Sequence, residues 1–232
     1  MAVTGYGRMR STESETIVVA QEDQKWQSFY ENRARPCPFF GALPDESLAE
    51  WVDQGVVRPG RTLDLGCGNG RNAVFLARRG FSVEGVDYSE SAIAWARERV
   101  TQADVGVTLT HRSVFDLAVA AGTYDLVYDA GLFHHVPPHR RDQYIAFVVN
   151  ALKPGGCFGL ACFGPQGGSG YSDQDVYERR SMGGGLGYTE EQLREFWSKS
   201  MRIHVVRPMH EQGPHSSVFG RSFLWALLAR KA

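Results

Sequence analysis

The sequence predicts an α/β fold: a doubly wound, mostly parallel sheet with an antiparallel C-terminal hairpin and an N-terminal helical cap. Two observations carry this expectation. Between residues 61 and 163 short apolar runs alternate with segments of helical period, the rhythm of βαβ units whose helices cover both faces of a parallel sheet. The rhythm then stops, and two strand-like segments follow close enough together to pair as a hairpin.

The elements follow in chain order. Trp26, Phe29, Tyr30 and Arg33 fall at helical spacing, and Leu48, Trp51 and Val52 make one face of a second amphipathic segment that Asp45 is placed to N-cap. Strands are expected at 61–65, 81–87, 105–114, 124–129 and 157–163, with helices at 70–79 and 89–101 between the first three. Pro137 and Pro138 open a further helix with Tyr144, Phe147, Val148, Ala151 and Leu152 on its apolar face, and Lys153-Pro154-Gly155-Gly156 stops it. Thr189 and Gln192 form a capping-box pattern ahead of a helix at 190–197, and 202–207 and 221–229 supply the hairpin.

A chain of 232 residues with 43% hydrophobic content buries enough surface for one core, so a single domain is expected over 22–232. Within it, 22–58 is expected as the helical cap and 164–187, with eight glycines, as a lid loop suited to closing over a substrate, with a plain flexible insertion as the alternative. Residues 1–21 are expected to form a flexible tail, since their longest apolar run, 17–20, is too short for a signal-peptide core or a membrane span. A net charge of -1 provides no basic field for a nucleic acid. Cys37, Cys67, Cys157 and Cys162 lack both the close pairing of a zinc site and the density of a disulfide scaffold, so reduced thiols, a cytoplasmic location and no metal are expected.

The chemistry concentrates where the first strand meets a helix, in Leu63-Asp64-Leu65-Gly66-Cys67-Gly68-Asn69-Gly70-Arg71-Asn72. A strand-to-helix junction carries free N–H groups, and glycine lets a ligand reach the backbone; a tight turn alone would also use glycines there. The dinucleotide fingerprint would need a third glycine where Arg71 stands, which weakens NAD as the ligand. Acids then recur at successive strand ends, where open α/β sheets bind ligands: Asp64, Asp87 and Asp116. Asp87 can accept both hydroxyls of a ribose, Asp116 can take an exocyclic amine, and Val114 and Phe115 can flank a purine. Each acid singly is equally suited to a turn or helix cap.

Taken together, LDLGCGNG at 63–70, VDYS at 86–89, SVFDL at 113–117, YDLVYDAGLFHHVP at 124–137 and LKPGG at 152–156 resemble, in order and spacing, the motifs of class I S-adenosylmethionine-dependent methyltransferases. The resemblance implies a Rossmann-like sheet of seven strands, with S-adenosylmethionine over the strand ends and S-adenosylhomocysteine as product. It places Asp64, Gly66, Cys67, Gly68 and Gly70 at the methionine part, Asp87 at the ribose, Tyr88 and Val114 on the adenine faces and Asp116 at the adenine amine, with Phe115 beside it. Asp129 and Ala130 line the methyl side; Asn69 and Asn72 meet the carboxylate or cap the helix. Trp26 and Tyr30 of the N-terminal segment either supply an aromatic wall or pack in the core.

Methyl transfer is an in-line displacement, so positioning is the main catalytic act and a base is needed only for acceptors that must lose a proton. His134 and His135 are the candidate bases, with packing or capping as their alternative role. The segment after the fourth strand, Asp129-Ala130-Gly131-Leu132, lacks the [DNS]PP[YFW] motif of amino-methylating nucleic-acid enzymes, so a small-molecule acceptor methylated at S, N or O is expected. The FHHVPPHRR segment and the stretch 187–197 are loosely similar to tellurite-resistance and thiol methyltransferases. A cofactor-binding protein without transferase activity, or a methyltransferase of a macromolecule, are the alternatives.

Overall fold

The computed structural model describes residues 13–232. Seven strands form one sheet: β1 (Arg61–Leu65), β2 (Ser82–Asp87), β3 (Val107–His111), β4 (Tyr124–Ala130), β5 (Leu152–Phe163), β6 (Met201–Pro208) and β7 (Leu224–Lys231). Their order is β3-β2-β1-β4-β5-β7-β6. The first five pair in parallel, and β7 inserts antiparallel between β5 and β6. Helices α1 (Glu13–Glu31) and α2 (Glu46–Asp53) precede the sheet; α3 (Arg71–Arg78), α4 (Glu90–Ala103) and α5 (Arg141–Ala151) connect the parallel strands; α6 (Asp173–Glu178) and α7 (Glu190–Ser198) lie between β5 and β6.

Alternation along each strand divides the core between the two sheet faces. Val127, Phe158, Leu160 and Cys162 pack on one side with Tyr144, Val148 and Trp197 of α5 and α7. Leu126, Tyr128, Cys157 and Ala161 face the other way, against Trp51 of α2 and Leu76 of α3. The strand order reverses between β1 and β4, so their outgoing connections diverge and open a crevice at the carboxyl ends of the sheet.

The expected elements are present, with instructive differences. β3 is shorter than 105–114, because Ser113 accepts a hydrogen bond from the Phe115 amide and turns 114–116 into a 3-10 helix. Asp45 stands at the N-cap of α2 but makes no capping bond. Its carboxylate is instead taken by Arg71, Asn72 and Tyr128 at 2.6, 2.9 and 2.7 Å. Residues 13–21, expected as part of a tail, form the first half of α1, held by Val18, which is fully buried in the main core; residues 1–12 lie outside the described residues.

The glycine-rich segment 164–187 is a packed flap. It contains α6, buries Val176, Met182 and Leu186, and is stitched down by Gly164 N–H to Phe223, Ser169 N–H to Gly185 and Leu186 N–H to His134. At Gly168 a Cβ would come within 2.1 Å of the Gly187 nitrogen, so close crossing of backbones, rather than looseness, accounts for that glycine. Among the described residues no helix is long and apolar enough to cross a membrane.

Candidate functional site

The crevice at the β1/β4 reversal holds a cavity of about 1370 Å³. Its floor is the loop from β1 to α3. Gly66, Gly68 and Gly70 have φ of 63°, 53° and 77°, and the loop is pinned by Cys67 N–H to Val86 and by Gly68 N–H to the Asp87 carboxylate, 2.9 Å. A Cβ at Gly68 would fall 2.5 Å from the Tyr30 hydroxyl, so in this structure the group that approaches the bare backbone is the phenol of α1. Gly70 heads α3 and does not line the cavity.

Asp64 is 1% exposed, and neither carboxylate oxygen has a hydrogen-bond partner. Burial outweighs the attraction of Arg71 and pushes its pKa up to about 8, so at neutral pH the group holds its proton. Asp87 closes β2 and accepts one main-chain N–H on each oxygen, from Gly68 and Ser89. Burial raises its pKa to about 6 against those bonds, and a carboxylate with about four lone-pair sites retains acceptors for further donors.

Tyr88 lines the cavity, with its hydroxyl donated to the carbonyls of Glu22 and Asp23 on α1 at 2.7 and 3.1 Å. Val114, Phe115 and Asp116 follow on the Ser113-capped turn, and the Arg140 guanidinium lies 4.7 Å from the centre of the Phe115 ring. Asn69 donates to the carbonyl of Phe40, and Asn72 exchanges hydrogen bonds with Asp45; both tie the N-terminal segment to the loop while still bordering the cavity.

At the end of β4, Ala130 lines the cavity and Asp129 does not. The Asp129 carboxylate accepts from the amides of Leu132 and Phe133 and from the Tyr144 hydroxyl, so it shapes the turn that presents the two histidines. Burial lifts its pKa to about 7, opposed by those hydrogen bonds. His134 and His135 are both buried, both line the cavity, and burial drives both well below the usual histidine range, leaving neutral rings at neutral pH. The surroundings of the two rings differ. His134 stacks on Phe163 at 3.8 Å, and its Nδ1 accepts the Phe163 amide at 3.2 Å. His135 meets Trp26 edge-on at 4.6 Å.

The cavity therefore unites Asp64, Gly66, Cys67, Gly68, Asn69, Asn72, Asp87, Tyr88, Val114, Phe115, Asp116 and Ala130 with Trp26, Tyr30, His134 and His135. It adds Glu22, Phe163 and Phe223, which sequence reasoning did not single out. Glu22 sits in the polar run Gln21-Glu22-Asp23-Gln24-Lys25, where the alternation of charge reads as a solvated helix face. Outside the cavity, Glu46, Glu50 and His210 come together, but Arg207 is ion-paired to both carboxylates.

Buried, unpaired Asp64 oxygens suit an ammonium group, Asp87 keeps acceptors at the strand end for hydroxyls, and the loop between them presents backbone free of side chains; the residues fit S-adenosylmethionine. Comparison with known proteins agrees. A family described as Methyltransferase domain matches residues 62–156. An uncharacterized methyltransferase of Schizosaccharomyces pombe is 30% identical over 120 residues, 52% of this chain and 83% of that protein. An uncharacterized methyltransferase of Synechocystis is 37% identical over 122 residues, and there the match spans only about half of each chain, 52%. The 2-heptyl-1-hydroxyquinolin-4(1H)-one methyltransferase of Mycobacteroides abscessus is 28% identical over 176 residues, 75% of this chain and 72% of that protein. Among solved structures, the 1,6-didemethyltoxoflavin-N1-methyltransferase of Burkholderia thailandensis, bound to 1,6-didemethyltoxoflavin and S-adenosylhomocysteine, shares the fold with a TM-score of 0.72 at 19% identity, covering 96% of this chain and 92% of that one.

Proposed function

Because the chain belongs to the class I S-adenosylmethionine-dependent methyltransferases, we propose that it methylates a heteroatom of a small, planar aromatic acceptor and releases S-adenosylhomocysteine. The observation that carries this reading is the continuity of one cavity from the carboxylates of Asp64 and Asp87 to the imidazoles of His134 and His135. Residues that would hold the cofactor are Asp64 and the 66–69 backbone at the amino-acid end, Asp87 at the ribose, and Tyr88, Val114 and Asp116 around the base. Bound there, S-adenosylmethionine supplies an electrophilic methyl group whose bonding electrons depart with sulfur.

This chain's own residues supply alignment and proton handling. Holding two reactants in line contributes roughly 7–11 kcal/mol of barrier reduction, and the walls of the cavity are built for that task. The acceptor end is aromatic: Phe163 stacks with His134, Trp26 stands against His135, and Phe223 and Phe219 complete the lining. Flat rings suit a flat acceptor, and the names of the 2-heptyl-1-hydroxyquinolin-4(1H)-one and 1,6-didemethyltoxoflavin methyltransferases support the same class. The histidines separate by hydrogen bonding. His134 has its Nδ1 lone pair engaged by Phe163, so its proton sits on Nε2 and it acts as a donor. His135 is the ring left to accept a proton, a role that contributes typically about 10²- to 10⁴-fold. Four cysteines without disulfides support a reducing, cytoplasmic setting.

The test is methyl transfer from radiolabelled S-adenosylmethionine into a cell extract separated into metabolite, protein and nucleic-acid fractions. Label in an aromatic metabolite is expected. Label confined to protein or nucleic acid would replace the acceptor class, and tight S-adenosylhomocysteine binding with no label in any fraction would favour a non-catalytic binder.

A further inference from the structure

His135 has a neighbour that the methyl-transfer reading does not use. Glu22, on α1, is only 8% exposed, and its Oε2 lies 3.4 Å from His135 Nδ1. The carboxylate is held in place from its own helix: Trp26 Nε1 donates to Oε2 at 3.3 Å and Lys25 Nζ at 3.3 Å. Trp26 also stands edge-on against the His135 ring, while Gly185 sits close to its Cε1, where a Cβ would come to 2.9 Å. The ring is thus boxed in orientation, with one nitrogen toward an anion. Neither ring nitrogen makes a hydrogen bond to the protein among the described residues: Nδ1 is buried with only the Glu22 carboxylate facing it, whereas Nε2 is not sealed from the cavity.

Resting on the methyltransferase reading above, we propose that Glu22 is a positioning residue for proton transfer: its carboxylate holds His135 in the Nδ1–H form and keeps Nε2 as the proton acceptor facing the methyl acceptor. An ionised carboxylate only accepts hydrogen bonds, so the nitrogen that faces it must carry the proton. The neighbouring ring shows the opposite case, since His134 Nδ1 accepts the Phe163 amide and must carry its proton on Nε2. Under the proposal the two adjacent histidines hold opposite tautomers. At 3.4 Å the two groups are at ion-pair distance without a formed hydrogen bond, and catalytic hydrogen bonds commonly tighten only when ligands bind. In the step itself the proton leaves the acceptor heteroatom for Nε2, its electron pair stays on the heteroatom for attack, and Glu22 balances the imidazolium that results.

The charged and titratable groups facing His135 are Glu22 and Lys25 from α1 and His134 from its own turn; Phe163 and Gly185, packed against it, carry no charge. Burial and, after it, Lys25 oppose the charged ring.

The test is the ring-nitrogen correlation spectrum of the full ¹⁵N-labelled chain at neutral pH, free and with S-adenosylhomocysteine, using His135→Gln to assign its resonance. Wild type should show His135 as Nδ1–H and His134 as Nε2–H. Glu22→Gln, whose amide can donate as well as accept, should move His135 toward Nε2–H. Lys25→Met should raise the titration midpoint of His135, and adding Glu22→Gln should lower it again. A wild-type His135 in the Nε2–H form, or a tautomer that Glu22→Gln leaves unchanged, overturns the proposal; the wild-type spectrum decides alone if the variant does not fold. Failure of the cofactor reading is separable, because it shows as absent S-adenosylhomocysteine binding in calorimetry while the free protein still reports the tautomer.

Discussion

Asp64 combines an almost complete loss of solvent with two unpaired oxygens, and the pH behaviour of the protein follows from that combination. Its carboxyl is raised from 3.8 to about 8 by burial. Between those values the native state holds a proton that the unfolded chain releases, so this group's contribution is full below the lower value and is lost as pH rises through the upper one, at up to about 1.4 kcal/mol per pH unit. His134 and His135 act in the other direction: their depressed values make the unfolded chain the better proton binder below the usual histidine range, so their contribution is lost as pH falls. Urea unfolding should therefore show Asp64→Asn gaining stability relative to wild type as pH rises from acid to neutral. A cation arriving at Asp64 reverses the logic by favouring the ionised form. Binding of S-adenosylhomocysteine at neutral pH should expel a substantial fraction of a proton, read as a calorimetric enthalpy that varies with the buffer's ionisation heat. Asp64→Asn should remove most of that dependence, and a buffer-independent enthalpy in wild type would show that the ligand's ammonium does not engage Asp64.

At the scale of elements, legibility followed periodicity. β1 was readable to the residue, and the Thr189/Gln192 capping box on α7 forms both reciprocal bonds, because local rules decided both. α1 was half legible. Its aromatic spacing marked 26–33, but 13–21 lacks a clean apolar stripe, since the helix packs through Val18 and lays polar groups along a cavity wall. The flap is legible only in part: its eight glycines mark a loop, whereas the burial of three apolar side chains and the close backbone crossings within it depend on residues distant in sequence. α1 is attached to the sheet through Tyr88, whose hydroxyl bonds Glu22 and Asp23, and through Gln27, which donates to the Tyr88 carbonyl at 2.9 Å. Tyr88→Phe removes the first pair and keeps the ring. At about 0.5–1.5 kcal/mol for a lost hydrogen bond, S-adenosylhomocysteine affinity should fall about 2- to 10-fold, with faster proteolytic cleavage within α1. Equal affinity and equal cleavage rates would show that α1 is held by packing alone.

Across the whole molecule, the residues expected to hold a cofactor fall in short motifs at strand ends, and most of them line one cavity, whereas the contacts that join distant segments leave no local signal. Asp45 is the clearest instance. The sequence marks it as a helix cap, yet it is fully buried and gathers Arg71 from the head of α3, Asn72 beside it and Tyr128 from the middle of β4. One carboxylate thereby connects the N-terminal cap, the glycine loop's exit and the central strand. Arg71 is itself buried and has only the Leu43 carbonyl besides Asp45 among its hydrogen-bond acceptors in the described residues. Asp45→Ala leaves a buried guanidinium, an amide and a phenol short of their acceptor. Removal of one partner from a buried ion pair costs about 3–5 kcal/mol, a large share of the stability of a domain. Urea unfolding should show a lower midpoint with unchanged slope. In Glu98→Ala, which breaks the exposed pair Arg33–Glu98, the midpoint should stay where it is. Because Asp45, Arg71 and Asn72 all border the cavity, Asp45→Ala should weaken S-adenosylhomocysteine binding as well. Loss of stability with cofactor affinity intact would show that the network supports the fold without shaping the loop, and a midpoint shift no larger than that of Glu98→Ala would show that water reaches the guanidinium and that the pair is not sealed.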